Sequence, residues 1–340
     1  MSQTPLDDQQ TGESLDALGR QLRAEGYQFT TTTPATHHQV LANRGPAFAR
    51  TLRDTFGWSM RVNPRMLPEG MSAELFNRLR ADGILEPLQE DRQGQCHDAL
   101  DAEHEEKPQG FCSTVRCSSF EDLLFFHSAY PTLGRDAVFF GPDTYRFLHL
   151  IENNMPGHDP IAPPRILDIG CGSGAGGIAA ARLCPGARLV LNDINRRALR
   201  YALCNARAAG LAPELAHGDA LNAVTGDFDI ILANPPYLVD DEQRAYRHGG
   251  DQLGRELGVR MARQALGRLA PLGRLIVYMG VAIVDGVDGF IEDLRPALAD
   301  AGCAWTYQEL DPDVFGEELR RPVYREAERI AAVGLVAVKP

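Results

Sequence analysis

Arg165-Ile166-Leu167-Asp168-Ile169-Gly170-Cys171-Gly172-Ser173-Gly174-Ala175 is the stretch of sequence that decides the fold. Its apolar first half is typical of a buried strand, and the glycines predict a tight turn into a helix that ends at Leu183. Glycines in such a turn let the backbone approach a bound nucleoside closely. Asp193 follows the turn by about twenty residues, a spacing that dinucleotide sites also show. The loop therefore predicts a nucleoside site, but it does not choose between a dinucleotide and another nucleoside cofactor.

Strand-like and helix-like segments alternate from Pro164 to the end of the chain. This alternation predicts an α/β, Rossmann-like fold in which helices cover both faces of a sheet. We expect a seven-stranded, mostly parallel sheet whose last strand is antiparallel. The predicted strands are Arg165–Asp168, Leu189–Asp193, a segment before Gly218, Phe228–Leu232, Arg274–Met279, Ala304–Leu310 and Arg329–Val338.

The residues ahead of the α/β domain fall into three regions. Residues 1–14 are polar and predict a disordered tail. Residues 15–110 predict a helical N-terminal domain, in which the acidic segment 89–110 has few apolar residues and predicts a mobile loop. Residues 111–150 predict a β-hairpin, with strands Ser113–Phe120 and Leu123–Ala129, and a connecting segment. The α/β domain is then expected to occupy residues 151–340.

Charge and composition limit the possible partners. The chain of 340 residues has a formal net charge of −12, which disfavours nucleic acid because it repels a long phosphate backbone. The longest apolar run is too short for a membrane-spanning helix, and the polar start does not resemble a secretory signal. We therefore expect a cytoplasmic protein with no membrane partner. Seven cysteines without a regular framework predict reduced thiols, and no metal site is expected because these side chains lack ligand spacing: Cys96, His97, His104, Cys112 and Cys117.

Asn234-Pro235-Pro236-Tyr237 follows a continuous apolar strand. In an open α/β sheet, ligands bind beyond the carboxyl ends of the strands, which is where this tetrapeptide lies. Two successive prolines stiffen the backbone and remove its donors, so the carbonyls become acceptors in a fixed geometry. A planar amide or aromatic amine bound there can donate its two N–H groups to the Asn234 side-chain oxygen and the Pro235 carbonyl.

This arrangement suits methyl transfer to a weakly nucleophilic nitrogen. The lone pair of an amide is conjugated, so positioning must replace basicity. Acceptors for both N–H groups stabilise the positive charge that develops on the nitrogen and aim its lone pair at a methyl donor. Tyr237 can stack on the planar group or face a sulfonium cation. Asn234, Pro235 and Tyr237 are therefore the candidate catalytic residues, and the tetrapeptide favours a sulfonium donor over a dinucleotide.

The motifs Asp168–Gly174, Asp193, Gly218-Asp219 and Asn234–Tyr237 together resemble the class I S-adenosylmethionine-dependent methyltransferases with an Asn-Pro-Pro-Tyr motif. Within that class, they look most like the glutamine N5-methyltransferases of peptide-chain release factors. The resemblance implies S-adenosylmethionine as cofactor, with Asp168 at its methionine part, Asp193 at its ribose and Asp219 at its adenine amine. The cofactor-binding residues that it implies are Asp168, Gly170, Cys171, Gly172, Gly174, Asp193, Ile194, Gly218, Asp219, Ala220 and Asn234.

The sequence departs from that subgroup in two places. Phe140-Gly141-Pro142-Asp143-Thr144-Tyr145 stands where the subgroup has a Pro-Arg-Pro-Glu-Thr-Glu type segment, and Tyr278 stands where an acidic residue is expected. The loops at the rim of the site add further candidates. His248 is expected as a loop residue and not as a general base, because a cationic product nitrogen loses its proton readily. The expected substrate-binding residues are Phe140, Pro142, Thr144, Pro236, Tyr237, His248, Tyr278 and Phe315.

Three classes of acceptor remain open. A protein glutamine or a similar amide is favoured by the motif, the layout and the acidic charge. The amino group of an RNA or DNA base fits the same tetrapeptide if the base is flipped or single-stranded. A small-molecule substrate of an S-adenosylmethionine-dependent enzyme, in methyl transfer or in another chemistry of that cofactor, fits the departures at Tyr278 and in residues 140–145. The helix after the tetrapeptide is also expected to carry two surface ion pairs, Asp251/Arg255 and Glu256/Arg260.

Overall fold

The computed structural model describes residues 5–45, 47–88, 110–156 and 163–340, without the side chains of residues 5–10. The chain divides into two compact units. The first contains residues 1–133, 139–142 and 207–209. The second contains residues 134–138, 143–206 and 210–340. Each unit has its own buried apolar core.

The first unit is built mainly from short helices, as the sequence predicts. They are α1 (Pro5–Ala24), α2 (Pro34–Arg44), α3 (Leu52–Phe56) and α4 (Ala73–Ala81). Hydroxyl side chains cap the last three at Thr33, Thr51 and Ser72, where each accepts a backbone N–H of the first turn. The short strands β1 (Leu85–Pro87) and β2 (Phe111–Ser113) pair antiparallel.

A two-stranded hairpin completes the first unit. Strands β3 (Val115–Phe120) and β4 (Leu123–Ser128) pair antiparallel, with Val115 opposite Ser128. Glu121 adopts a φ of 51° in the turn between them. The hairpin predicted around Glu121-Asp122 is thus confirmed. All six residues of β4 are buried, so this strand belongs to the core of the first unit.

Two predictions for this part of the chain are corrected by the structure, and a third concerns residues that the structure does not describe. Helix α1 begins at Pro5, inside the predicted disordered tail of residues 1–14, because Leu15, Leu18 and Leu22 are buried on one face and the helix extends ahead of them. Cys112 is disulfide-bonded, so the prediction of reduced thiols is wrong at this position. The predicted mobile loop at 89–110 lies outside the described residues, except for Gly110.

The boundary between the two units also differs from the predicted one. Helix α5 (Pro142–Asn154) buries Phe147, Leu148 and Ile151, and the second unit includes the chain from Asp143 onward. The α/β domain therefore begins ahead of residue 151. The helical spacing of these apolar side chains is visible in the sequence, but the short segment does not reveal which core it joins.

The second unit contains the expected seven-stranded sheet. Its order along the main path is β11-β12-β9-β8-β5-β6-β7, with the two-residue strand β10 (Val287–Asp288) paired to β9. Strands β7, β6, β5, β8 and β9 are parallel, and β12 is antiparallel to both β9 and β11. The strands are β5 (Arg165–Ile169), β6 (Arg188–Asp193), β7 (Glu214–His217), β8 (Phe228–Ala233), β9 (Leu269–Val284), β11 (Ala304–Asp311) and β12 (Arg329–Val338).

An α-helix connects β5 to β6, β6 to β7, β8 to β9, and β10 to β11. These helices are α6 (Ala175–Leu183), α7 (Arg196–Ala208), α8 (Glu256–Leu266) and α9 (Gly289–Asp300). Short 3-10 turns follow Asp219, Phe315 and Arg321. The predicted α/β, Rossmann-like fold with an antiparallel last strand is therefore confirmed. In the described part of the chain, no helix has the length and apolarity needed to cross a membrane.

Helix α6 packs so closely against its neighbours that a Cβ at two of its glycines would force neighbouring atoms to shift. A Cβ on Gly177 would lie 2.7 Å from Cδ2 of Leu191 and 3.0 Å from Cβ of Asp168. A Cβ on Gly176 would lie 2.5 Å from the ring of Phe147 in α5. The small residues of α6 therefore set the distance between this helix and the sheet.

Gly177→Ala tests this close packing. Alanine is favoured over glycine inside an exposed helix by about 1 kcal/mol. Here we expect the opposite sign, a loss of about 1–3 kcal/mol in the free energy of unfolding, because the methyl group overpacks the core. Urea unfolding followed by circular dichroism measures this change. Gly267→Ala is the control, since its φ of −71° suits alanine and its added Cβ meets only the Gln264 carbonyl at 3.5 Å. Equal stability of the two variants would contradict the packing described here.

Candidate functional site

The register of the central strands brings the two sequence motifs to one edge of the sheet. Strands β5 and β8 are adjacent and parallel, with Asp168 opposite Leu232 and Ile169 opposite Ala233. The glycine loop leaves β5 at this edge, and the Asn-Pro-Pro-Tyr segment leaves β8 beside it. On the other side of β5, Ile169 is opposite Asn192 of β6. The motifs separated by some sixty residues in sequence are therefore neighbours in the structure.

The glycine loop adopts the conformation that the sequence predicts. Gly170, Gly172 and Gly174 have φ angles of 66°, 55° and 78°, a region that side chains disfavour. The Cys171 N–H donates to the Asn192 carbonyl at 2.9 Å and ties the loop to β6. Burial raises the pKa of the Cys171 thiol well above its usual value, so this side chain is a neutral packing group.

Asp168 lies at the base of the loop and is 2% exposed. One carboxylate oxygen accepts the Gly177 N–H at 2.7 Å. Burial raises the pKa of Asp168 to about 7, against the effect of this hydrogen bond, and the negative charge of Asp193 raises it further. A cationic ligand beside Asp168 would favour its ionised form. The ammonium group of a bound methionine moiety is such a cation.

Asp193 ends β6 and is held by backbone donors. Its two oxygens accept the N–H groups of Gly172 at 2.9 Å and Asn195 at 2.8 Å. Burial raises the pKa of Asp193, while these hydrogen bonds oppose the shift. Three backbone N–H groups, those of Gly172, Asn195 and Ile194, thus face a carboxylate with about four acceptor sites, which leaves capacity for a ribose hydroxyl. The next residue, Ile194, is 60% exposed and offers an apolar face next to the carboxylate. The loop, the carboxylate and this apolar face together fit a nucleoside ligand.

Asp219, the expected partner of the adenine amine, makes an ion pair that the sequence does not reveal. Arg260 of α8 donates to both of its oxygens, at 2.9 and 3.1 Å. The predicted pair of Arg260 with Glu256 is therefore wrong, as is that of Arg255 with Asp251, because Arg255 instead donates to Asp293 at 2.8 Å. Helical spacing alone favoured the local partners, but acceptors from other elements lie closer. Ala220 follows Asp219 with a φ of 45°.

In the tetrapeptide, the side-chain amide of Asn234 is free to bind a ligand, whereas its neighbour Pro235 is buried. The Asn234 side chain is half-buried, and within the described ranges it has no hydrogen-bond partner. Pro235 is buried and packs toward α8, where a Cβ on Gly258 would come within 3.3 Å of its Cγ. Because proline lacks an N–H, the backbone here offers acceptors only. The amide of Asn234 is therefore available to a ligand.

Tyr237 is enclosed by neighbouring residues and is 9% exposed. Its ring lies against Gly280 of β9, where a Cβ would come within 2.3 Å of the ring carbon Cε2. Phe315 packs edge-on, with ring centroids 5.9 Å apart. Phe315 itself has a φ of 54°, an unfavourable conformation that the surrounding contacts maintain. The structure thus brings two of the predicted substrate-binding residues, Tyr237 and Phe315, into contact.

The positions of four other candidate substrate-binding residues do not by themselves support their predicted role. Tyr278 is fully buried and its hydroxyl donates to Asp143 at 2.6 Å, so the substrate-facing position predicted for it is not observed. Phe140 is 2% exposed and stacks on Phe125 within the first unit. Pro142 begins α5, and Thr144 in its first turn is 8% exposed. Their contacts with a substrate remain predictions.

His248 lies in the loop that follows the tetrapeptide. Its Nδ1 accepts the Asp240 N–H at 3.2 Å, and the backbone of Leu238 exchanges hydrogen bonds with Arg247 and Gly249. The imidazole thus helps to fold the loop back on itself, which agrees with a loop role. A substrate contact by His248 remains a prediction.

Comparison with known proteins agrees with this geometry. Residues 149–281 match the family model of the methyltransferase small domain. Release factor glutamine methyltransferases of Deinococcus radiodurans and Rhodospirillum rubrum are 29% identical over 190 residues and 37% identical over 169 residues. These alignments cover 52% and 45% of this chain and 63% and 49% of the two relatives. Ribosomal RNA small subunit methyltransferase C of Serratia proteamaculans is 30% identical over 111 residues, which cover 33% of this chain and 29% of that protein.

The fold, the site and the family match define the class of the domain. Residues 149–281 match a methyltransferase small domain, and the sheet order is that of a class I S-adenosylmethionine-dependent methyltransferase fold. Among methyltransferases of that class, the chain is similar to the release factor glutamine methyltransferases, and it spans between about half and two thirds of the length of the first two relatives.

The pKa of Asp168 leads to a test of the donor site. If its ionised carboxylate binds the ammonium group of the donor, affinity for S-adenosylmethionine should rise with pH up to about 7. At one pH unit below the pKa, affinity should be about tenfold lower than its limiting value, and binding should release a proton. Calorimetric titration between pH 5.5 and 7.5, in two buffers with different ionisation enthalpies, measures both effects. Asp168→Asn should bind more weakly and lose the pH dependence. The same pH dependence in this variant would remove Asp168 from the donor site.

Proposed function

We propose that this protein transfers a methyl group from S-adenosylmethionine to the side-chain amide nitrogen of a protein glutamine. One observation carries the proposal. The Asn234-Pro235-Pro236-Tyr237 segment leaves β8 beside the glycine loop of β5, and the Asn234 amide is free of described partners. A planar nitrogen held by this segment would therefore lie next to a bound nucleoside.

The residues of the segment supply position and electrostatic stabilisation. The Asn234 oxygen and the Pro235 carbonyl accept the two N–H groups of the amide, which orients its lone pair. The same two acceptors stabilise the nitrogen as it becomes positive, so no strong base is needed. Tyr237 borders the plane of the bound group. S-adenosylmethionine, when bound, supplies an electrophilic methyl group on a sulfonium centre.

The relatives support a protein acceptor. The two release factor enzymes are similar to 52% and 45% of this chain, at 29% and 37% identity. A release factor or a similar protein would be the partner, and the enzyme would then act in the cytoplasm, where translation takes place. The amino group of an RNA base is the second candidate, because the ribosomal RNA methyltransferase relative is also similar to this chain.

Asn234→Ala tests the role of the free amide. We expect transfer to fall by roughly two to three orders of magnitude, as when one preorganised polar contact to the transition state is removed, and donor affinity to fall far less. Single-turnover transfer and calorimetric binding separate the two effects. Asn43→Ala, on the exposed surface of α2, is the control and should behave as the wild type. Unaltered transfer by Asn234→Ala would exclude the proposed contact.

The class of acceptor is tested by transfer of labelled methyl groups into a cell extract. After incubation with methyl-labelled S-adenosylmethionine, label in a glutamine amide should survive nuclease and be lost to protease. Acid hydrolysis of the labelled protein should then release the label as volatile methylamine, because an amide hydrolyses whereas methylated lysine and arginine survive. Label that is lost to nuclease would favour an RNA base. Label that remains in neither polymer would favour a small molecule.

A further inference from the structure

The loop that follows the tetrapeptide is folded closely against the tetrapeptide itself. The Gly249 N–H donates to the Leu238 carbonyl at 2.8 Å, so the loop closes on the first residue after the tetrapeptide. A Cβ on Gly249 would lie 2.7 Å from the Pro236 carbonyl oxygen. A Cβ on Gly254 would lie 2.2 Å from the Tyr237 carbonyl oxygen. The backbone of this loop is therefore in contact with the last two residues of the tetrapeptide.

The 314–324 segment, which lies between β11 and β12, binds the backbone of this loop at Val239. The Val239 N–H donates to the Tyr324 hydroxyl oxygen at 2.8 Å, and the Arg321 guanidinium donates to the Val239 carbonyl. Arg321 also lies 2.9 Å from the carboxylate of Asp241. Val239 is the second residue after the tetrapeptide. Side chains from another element thus hold both of its backbone groups.

Side chains of alternating charge join the loop to the same segment. Asp240 is 4% exposed and accepts Arg244 at 3.0 Å. Arg247 lies 3.5 Å from Asp240 and donates to Glu318, which in turn accepts Arg321 at 3.2 Å. Burial alone would raise the pKa of Asp240, but the hydrogen bonds and charges of Arg244 and Arg247 hold it below its usual value. Each charge of this network therefore has a partner of opposite sign.

The 314–324 segment also contacts the tetrapeptide directly. It carries Phe315, whose ring packs edge-on against Tyr237 with 5.9 Å between the centroids. The Glu318 N–H donates to the Phe315 carbonyl at 2.9 Å, so the aromatic ring and a carboxylate of the charged network belong to one turn. The segment thus reaches the tetrapeptide in two ways, through the ring of Phe315 and through the loop.

We propose that Tyr324, Arg321 and Glu318 are positioning residues, which bind the loop to the 314–324 segment and so keep the tetrapeptide in the geometry that the acceptor requires. This inference rests on the proposed function, in which the tetrapeptide binds the acceptor nitrogen. Transfer is sensitive to such positioning, since a misplacement of about 1 Å costs on the order of a hundredfold in rate. The glycine loop is instead tied to β6, so donor binding does not depend on these side chains.

Hydrogen exchange tests the contact without any substrate. Tyr324→Phe removes the acceptor of the Val239 N–H and keeps the ring. We expect the amides of residues 238–249 to exchange roughly five- to tenfold faster, because the loop opens more readily without this hydrogen bond. Mass spectrometry of the deuterated peptides measures the change. Tyr307→Phe is the matched control, since Tyr307 donates to Asp288 at 2.6 Å elsewhere in the second unit, and it should leave this exchange unaltered. Unchanged exchange in Tyr324→Phe would overturn the proposal.

Methyl transfer distinguishes a positioning role from a purely structural one. Tyr324→Phe should lower kcat roughly ten- to hundredfold, while its affinity for S-adenosylmethionine stays within about twofold of the wild type. Faster exchange with an unchanged kcat would contradict the positioning role, as would a loss of donor affinity as large as the loss in kcat. Absence of transfer by the wild type, together with faster exchange in Tyr324→Phe, would instead count against the proposed function alone.

Arg321→Lys is the second variant, and it replaces Tyr324→Phe if that protein does not fold. The Arg321 side chain is 26% exposed, so its substitution disturbs the core less. Lysine keeps the positive charge but lacks the planar fork that binds Val239, Glu318 and Asp241 together. Exchange in residues 238–249 should again rise and kcat should again fall, with donor affinity unchanged. Exchange like that of the wild type would overturn the proposal.

Discussion

The parallel pairing of β5 with β8 is the constraint on which the site depends. Backbone hydrogen bonds set Asp168 opposite Leu232, and a change of register by one residue would exchange the faces to which all side chains of a strand point. The pairing therefore fixes the glycine loop and the tetrapeptide next to each other without any direct side-chain bond between them. Strand β6 on one side and β9 on the other then add Asp193 and Gly280 to the same edge. The candidate site residues thus lie on or directly after buried strands. Such strands hold a site more precisely than long loops do.

Most of the fold follows from local sequence patterns. The apolar strands β5, β8 and β12 and the stops at Pro185 and Gly210 are clear because buried parallel strands and helix ends have strong local signals. The tail at residues 1–14 was predicted incorrectly, since its polar composition conceals that α1 is anchored by Leu15, Leu18 and Leu22 further along. The start of the second unit was also misplaced, because the core that α5 joins is a property of tertiary packing.

Some features of the candidate site can likewise be predicted from local sequence patterns, and others cannot. The positive φ angles of Gly170, Gly172 and Gly174 can be predicted, because glycine is the residue that tolerates such a turn. The partners of Asp143 and Asp219 cannot, since Tyr278 and Arg260 are 135 and 41 residues away and no local pattern relates them. Tyr278 was assigned to the substrate because the predicted strand ended at Met279, but β9 continues to Val284 and the side chain of Tyr278 is buried. Long-range pairs of polar side chains are thus the part of a site that a single sequence conceals.

The contact between Gly280 and Tyr237 has a consequence for how this domain diverges. The aromatic ring occupies the volume that any side chain at position 280 would need. The two positions therefore share one space, and a larger residue on β9 requires a smaller one in the tetrapeptide. Related chains that keep the tyrosine should keep the glycine, whereas chains with another residue at 237 are released from this restriction. The residue at position 280 of a related sequence therefore indicates whether an aromatic ring can occupy position 237.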